Sequence, residues 1–122
     1  MTTILTEQTR TGAYIEYEES PQLSREAITI AASGPLTVGT VLGRITTSGK
    51  YVALNISASD GSQTAAAILW AAIDATGADV KAVANVRDTI ARQYLLVFPA
   101  GISGPDLAQA IAALGAARII CR

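Results

Sequence analysis

The sequence contains no histidine and only one cysteine, Cys121, among its 122 residues. Without histidine there can be no Ser–His or Cys–His nucleophile pair, and the commonest metal ligand is missing. A single cysteine excludes a disulfide within the chain. Aromatic residues make up only 5% of the sequence, so the core must be built mainly from alanine and short branched side chains. From these absences we predict that the protein has no metal site and no cofactor.

Charged residues are also scarce, at 16% of the chain against the roughly 25% that is usual for soluble domains. The formal net charge is −1 and no basic stripe is present, which argues against nucleic acid as a partner. No run of about 20 apolar residues occurs, so no segment is predicted to span a membrane. Because few side chains are charged, much of the surface is predicted to be neutral, and a neutral surface favours burial in an assembly of proteins.

Short apolar runs that alternate with glycine turns dominate residues 26–74, and this rhythm is typical of a compact β structure. A chain of 122 residues suits one domain. Gly39 and Gly43 interrupt an apolar run, where glycine marks a turn, a bulge or a close backbone approach. The alanine-rich segment 65–75 is predicted to form one strand, because turn signals bound it on both sides.

One helix is predicted within residues 103–115. Ser103 offers an N-terminal cap, and Gly115 is placed where a C-terminal cap belongs. The apolar residues between them recur at helical spacing: Leu107, Ile111 and Leu114. Residues 117–120 are predicted to form a short terminal strand. The predicted fold class is therefore α+β and mostly β, with one short C-terminal helix.

Residues 1–25 differ from residues 26–122, because they are rich in threonine and glutamate and show little hydrophobic periodicity. Within this segment the polarity alternates over residues 14–18, and Ile15 and Tyr17 are predicted to share one face of a strand. Pro21 ends the strand, since proline has no N–H to donate. The segment is either a frayed terminus or an extended arm that orders on a partner by strand addition.

Lys50 suggests an alternative function. The stretch 36–45 suits the turn-rich half of a biotinyl or lipoyl carrier domain, and those modules present a modified lysine in a tight hairpin. Lys50 lies in a predicted turn, but the methionine that usually flanks such a lysine is absent. Asp74 and Asp79 are close in sequence, yet they flank a turn and are predicted to be solvated rather than catalytic. No catalytic constellation is present, so the chain is predicted not to be an enzyme.

Three blocks of sequence together resemble the phage head decoration protein family typified by protein D of lambda. The first block is residues 24–43 and the second is residues 60–69. The third is the ending, in which Leu96-Val-Phe-Pro99 and a helical stretch precede Ala117-Arg-Ile-Ile120. The blocks appear in the family's order and cover most of residues 24–120. The resemblance implies a compact β-clip-like or small barrel body, residues 26–122, preceded by an extended capsid-binding arm, residues 1–25.

The same resemblance implies a function without chemistry. The protein would form a homotrimer on the outside of an expanded phage capsid, bound to the major capsid protein, and stabilise the shell against the pressure of the DNA inside. It would be made in the cytoplasm of the bacterial host and end on the outer surface of the virion. The arm would order on the shell, and its predicted capsid-binding residues are Tyr14, Ile15, Glu16, Tyr17 and Glu18.

Overall fold

The computed structural model describes residues 10–122, which fold into a mostly β body. These residues form ten strands: β1 (Ile15–Glu18), β2 (Arg25–Ile30), β3 (Gly34–Leu36), β4 (Val41–Arg44), β5 (Tyr51–Ala53), β6 (Ala65–Leu69), β7 (Ile73–Ala75), β8 (Val80–Asn85), β9 (Thr89–Ala91) and β10 (Ile119–Cys121). The helices are α1 (Pro21–Ser24) and α2 (Gly104–Ala116), and a 3₁₀ turn covers Gln93–Leu95. The predicted α+β, mostly β fold with one C-terminal helix is confirmed.

Five strands close into a small barrel in the order β2-β5-β4-β6-β8. Its neighbouring strands pair antiparallel except for β2 and β5, which share a single parallel bridge between Ile30 and Tyr51. Small side chains fill much of the interior, among them Ala67 and Ala84, which are both 0% exposed. Because alanine takes little volume, a barrel this narrow can be close-packed with few aromatic residues.

The strands β4 and β6 are buried on both faces. Leu42 and Leu69 belong to an apolar cluster made by the barrel strands, whereas their neighbours Val41 and Ile68 belong to a second cluster. Successive side chains of a strand point to opposite faces, so a strand with apolar contacts on both sides needs an uninterrupted apolar run. This is why these two strands show no alternation of polar and apolar residues.

The second cluster is covered by a three-stranded sheet and by α2. The sheet has the order β1-β9-β10, in which β1 runs antiparallel to β9 and β10 runs parallel to it. The helix α2 forms the crossover from β9 to β10, as a parallel connection requires. Tyr14, Leu114 and Ile119 are fully buried in this cluster, each at 0% exposure. Strands from the two ends of the described chain therefore flank the same central strand.

The helix α2 begins as predicted but ends differently. The Ser103 side chain accepts a hydrogen bond from the Asp106 N–H at 3.2 Å, which is the predicted cap. The helix then runs through Gly115 to Ala116, and the positive φ at its end, 63°, belongs to Arg118. The prediction of Gly115 as the C-terminal cap is therefore wrong, because the chain reverses into β10 two residues later than the glycine suggests.

The alanine-rich segment 65–75, predicted as one strand, is two strands. The strand β6 ends at Leu69 and β7 begins at Ile73. The two have different partners, since β6 pairs with β4 and β8 in the barrel whereas β7 pairs with β3 in a separate two-stranded sheet. A chain that leaves one sheet for another must turn, and Trp70 lies at the start of this turn.

Candidate functional site

Residues 10–18 pass Trp70 before they enter the three-stranded sheet. The Gly12 N–H donates to the Trp70 carbonyl oxygen at 2.9 Å, and Gly12 has a φ of 68°. A Cβ at Gly12 would lie 2.9 Å from Trp70 Nε1, so glycine allows this close approach of the backbone. The Arg25 guanidinium lies 4.4 Å from the centroid of the Trp70 ring, within range of a cation–π contact. Trp70 thus joins the N-terminal segment to the start of β2.

Tyr14 anchors this segment in the core. Its side chain is 0% exposed, its hydroxyl donates to the side-chain carbonyl oxygen of Asn85, and the same hydroxyl lies 3.3 Å from the Ile68 carbonyl oxygen. Burial, together with the nearby negative charge of Glu18, raises the pKa of the Tyr14 phenol far above its ordinary value. The hydroxyl therefore keeps its proton and remains a hydrogen-bond donor at physiological pH.

Glu18, at the end of β1, completes a polar cluster around Tyr14. Its carboxylate accepts hydrogen bonds from Asn85 Nδ2 and Ser24 Oγ, each at 2.9 Å, and forms an ion pair with Arg25. Burial opposes the charged form, but hydrogen bonds from Asn85, Arg25 and Ser24 outweigh it, so the pKa of Glu18 lies below its usual value. We call these five residues, Tyr14, Glu18, Ser24, Arg25 and Asn85, the polar latch.

Acid is expected to weaken the polar latch. Because folding lowers the pKa of Glu18, the ionised carboxylate stabilises the protein above the ordinary pKa of 4.5, and this stabilisation is lost as the pH falls below that value. We expect Glu18→Gln to lower the free energy of unfolding by about 1–3 kcal/mol at neutral pH. We also expect its stability to depend less on pH than that of the wild type.

Thermal unfolding followed by circular dichroism between about pH 6 and pH 3 measures this difference. Glu16→Gln is the matched control, because Glu16 is an exposed carboxylate on the same strand. The control should follow the wild type throughout. If Glu18→Gln lost stability in acid as steeply as the wild type, Glu18 would not be the group that titrates in the polar latch.

The outer face of the three-stranded sheet carries an exposed row of apolar side chains. Tyr17 of β1 lies opposite Ile90 of β9, and Ile90 lies opposite Ile120 of β10. Tyr17 is 53% exposed and Ile120 is 48% exposed. Because side chains in register on neighbouring strands lie about 5 Å apart, the three form one patch rather than three isolated residues. We call Tyr17, Ile90 and Ile120 the apolar row.

An ion pair borders the apolar row. Asp88 precedes β9, Arg118 precedes β10, and Arg118 Nε lies 3.1 Å from Asp88 Oδ1. Both residues have a positive φ, 51° for Asp88 and 63° for Arg118, a conformation that is uncommon for residues other than glycine. A groove of about 380 Å³ contains this pair and the apolar row. An exposed apolar groove of this kind is typical of a binding surface.

The five predicted capsid-binding residues fall into two groups in the structure. Tyr14 and Glu18 belong to the polar latch, and Ile15 is half-buried against the second apolar cluster. Glu16 and Tyr17 are exposed. The prediction that Ile15 and Tyr17 share a face is wrong, because the β1–β9 register shifts between them. Binding of a capsid by these residues stays a prediction.

Of the predicted arm, residues 1–9 lie outside the described residues, and residues 10–25 pack against the body.

The sequence did not point to four residues of the candidate site: Asp88, Ile90, Arg118 and Ile120. The usable signal was the adjacent pair Ile119–Ile120 in a predicted strand. Neighbours in a strand face opposite ways, so only one of them could be buried.

Lys50 is not presented as a carrier lysine would be. Its Nζ lies 2.5 Å from Asp79 Oδ2, and the same carboxylate accepts the Ala32 N–H at 2.9 Å through its other oxygen. The lysine is therefore held against the barrel by an ion pair rather than displayed at a hairpin tip. Among residues 10–122, no cluster of side chains suited to a metal ion occurs, and no helix is long and apolar enough to cross a membrane.

Comparison with known protein families identifies the family of this chain. Residues 4–119 match the family described as bacteriophage lambda head decoration protein D, and this range contains β1 to β9 and α2. No curated protein matches the chain. Because the family match extends over nearly the whole sequence, the chain belongs to the bacteriophage lambda head decoration protein D family.

Proposed function

We propose that this protein binds the outside of an expanded phage head as a homotrimer and stabilises the shell against the outward pressure of packed DNA. As a phage head decoration protein it belongs on the capsid surface of the virion, and it is structural rather than catalytic. Its partner is the major capsid protein, and both are made in the bacterial cytoplasm. The observation that carries the proposal is the apolar row, an exposed patch that no other part of residues 10–122 covers.

The proposed mechanism is physical. A trimer that contacts several shell subunits adds buried interface, and this interface must be lost before the subunits can separate. A specific protein interface buries on the order of 1,000 Å² or more. Many copies on one symmetric shell add avidity, because partial detachment leaves other contacts in place. The charged fraction of only 16% supports large interfaces, since few charges have to lose their hydration on binding.

In this proposal the inward-facing and outward-facing residues around β1 have different roles. Tyr14, Ile15 and Glu18 hold the strand from the inside through the second apolar cluster and the polar latch. Glu16 and Tyr17 face outwards and make the contact with the shell. Tyrosine suits this role, because it buries a large apolar ring at low entropic cost and is enriched among the strongest contacts of interfaces. A strand fixed in advance loses less freedom on binding than a loose one.

The test is binding to expanded, empty heads of the encoding phage that lack decoration protein. The wild-type protein is expected to co-sediment with these heads, and the variant Tyr17→Asp/Ile120→Asp is expected to bind at least about tenfold more weakly. Two carboxylates in the apolar row would have to lose their hydration without gaining a partner. Tyr94→Asp is the matched control, because Tyr94 is 80% exposed and lies outside the row.

Each outcome decides one part of the proposal. Wild-type protein that stays in the supernatant contradicts capsid binding. Heads that bind the double variant as tightly as the wild type would show that the shell contacts another surface. Sedimentation velocity of the free protein measures the oligomer, and a species with the mass of one chain at all concentrations would contradict the trimer. Heads equally resistant to heat with and without the protein would contradict the stabilising role.

A further inference from the structure

The barrel is open along part of one seam. On one side, β2 pairs with β8 along its whole length, from Arg25 opposite Asn85 to Ile30 opposite Val80. On the other side it meets β5 only through the bridge between Ile30 and Tyr51. The strands diverge from this bridge and leave a groove of about 530 Å³. We call it the β2–β5 groove, and the residues that line it include Glu26, Ala27, Thr29, Arg44, Lys50 and Tyr51.

The backbone of β2 presents unpaired groups to this groove. The Val86 N–H donates to the Ser24 carbonyl oxygen at 2.8 Å, and this pair continues the register of β2 with β8. The backbone N–H and C=O groups of the even-numbered residues of β2 therefore bond to β8. Odd-numbered residues face the other way, as the Ala31 N–H does when it donates to the Tyr51 carbonyl oxygen at 2.9 Å. The Thr29 C=O also faces this side, where the parallel bridge pairs it with the Tyr51 N–H. The N–H groups of Ala27 and Thr29 and the C=O group of Ala27 point into the groove, where no strand within residues 10–122 pairs with them.

The charge of the groove is positive. Glu26 pairs with Arg87 at 3.1 Å, and Lys50 pairs with Asp79 at 2.5 Å. Arg44 is exposed and has no carboxylate within ion-pair distance among residues 10–122. The charge that remains unbalanced along the groove is thus the Arg44 guanidinium, whose planar group of donors matches a carboxylate.

These observations specify the shape of an occupant. A row of backbone N–H and C=O groups is satisfied by an extended chain, which adds to the sheet at the spacing of about 4.8 Å between neighbouring strands. A helix satisfies its backbone groups internally and has a diameter of about 10–12 Å, so it could not pair with β2. An acidic side chain on the added strand would meet Arg44. The groove thus fits an extended, acidic segment.

We infer that the β2–β5 groove takes an extended, carboxylate-bearing segment of a capsid subunit, which pairs with Ala27 and Thr29 of β2 and binds Arg44. The inference rests on the proposed function, because the segment comes from the shell. It adds a second contact to that of the apolar row, made by the backbone rather than by apolar side chains. Binding in the groove completes the open seam of the barrel, so the shell also stabilises the decoration protein.

Hydrogen exchange of single amides, measured on free protein and on protein bound to expanded, empty heads, tests this inference. The amides of Ala27 and Thr29 are expected to exchange fast in the free protein and at least about tenfold more slowly on the heads. The amides of Glu26 and Ile28 bond to β8 and are expected to be protected in both states. They serve as internal controls on the same strand.

A charge reversal gives an independent measurement. Arg44→Glu is expected to bind the heads at least about tenfold more weakly, whereas Lys81→Glu, an equal change at an exposed site outside the groove, is expected to bind like the wild type. Protein that binds heads while Ala27 and Thr29 still exchange fast would overturn the groove inference and leave capsid binding intact. Protection that grows with the concentration of free protein would assign the groove to a second copy. Absence of any binding to heads would overturn both proposals.

Discussion

Gly43→Ala is expected to lower the free energy of unfolding by about 3 kcal/mol. The register between β4 and β6 shifts at Gly43, and a Cβ on this residue would lie 2.2 Å from the Ser62 carbonyl oxygen. Ser62 cannot move away easily, because its carbonyl accepts the Asn55 N–H at 3.0 Å and its hydroxyl donates to Asp60 at 2.5 Å. The added methyl group must therefore push apart backbone that is buried and hydrogen-bonded.

Urea unfolding of Gly43→Ala against the wild type measures this loss. The matched control is Gly115→Ala, since Gly115 is exposed within α2 and a Cβ there meets no atom within 4 Å. Alanine favours the helix over glycine, so the control is expected to be more stable than the wild type by about 0.5–1 kcal/mol. A Gly43→Ala protein as stable as the wild type would mean that β4 and the Ser62 turn can separate without loss.

Tyr14→Ala is expected to have a still larger effect, about 4 kcal/mol of unfolding free energy. The substitution empties a fully buried site in the second apolar cluster and also leaves the Asn85 side-chain oxygen without the hydroxyl of Tyr14. Tyr14→Phe separates the two causes. It keeps the ring and removes only the hydroxyl, so we expect it to lose about 1–3 kcal/mol.

Tyr94→Ala is the control for this pair, because Tyr94 is 80% exposed. Its unfolding free energy is expected to stay within about 0.5 kcal/mol of the wild type. Chemical denaturation of the four proteins under one condition gives the ranking. If Tyr14→Phe were as damaging as Tyr14→Ala, the hydrogen bond to Asn85 would contribute nearly all of the effect. If both were harmless, Tyr14 would not anchor the N-terminal segment.

Features that depend on neighbouring residues could be predicted from the sequence. The cap at Ser103 and the start of α2 follow from local chemistry, and Gly43 marks a bulge with a close backbone approach, as predicted. Features that depend on distant partners could not. The segment 65–75 is uniformly apolar whether it forms one strand or two, and only the separate partners β4 and β3 decide the question. The barrel order needs the same long-range pairing.

The candidate site shows the same limit. The alternation over residues 14–18 correctly predicted a strand, but the register shift opposite β9 that turns Tyr17 outwards is set by a partner more than 70 residues away. The contacts of the polar latch could not be predicted, because nothing in a linear sequence brings Glu18, Ser24 and Asn85 together. The absence of a catalytic constellation predicted a protein that is not an enzyme, and membership of a structural family confirms this prediction.

The sheet order β1-β9-β10 also delays the pairing of β1 while the chain is being synthesised. The Tyr14 hydroxyl and its acceptor Asn85 are 71 residues apart, and β1 pairs with a strand that is made later still. As the nascent chain emerges, its first strand has no partner until β9 has followed it, and closing so long a loop is slow. A translational pause or a premature stop before residue 89 would therefore leave the first strand open to the wrong neighbours.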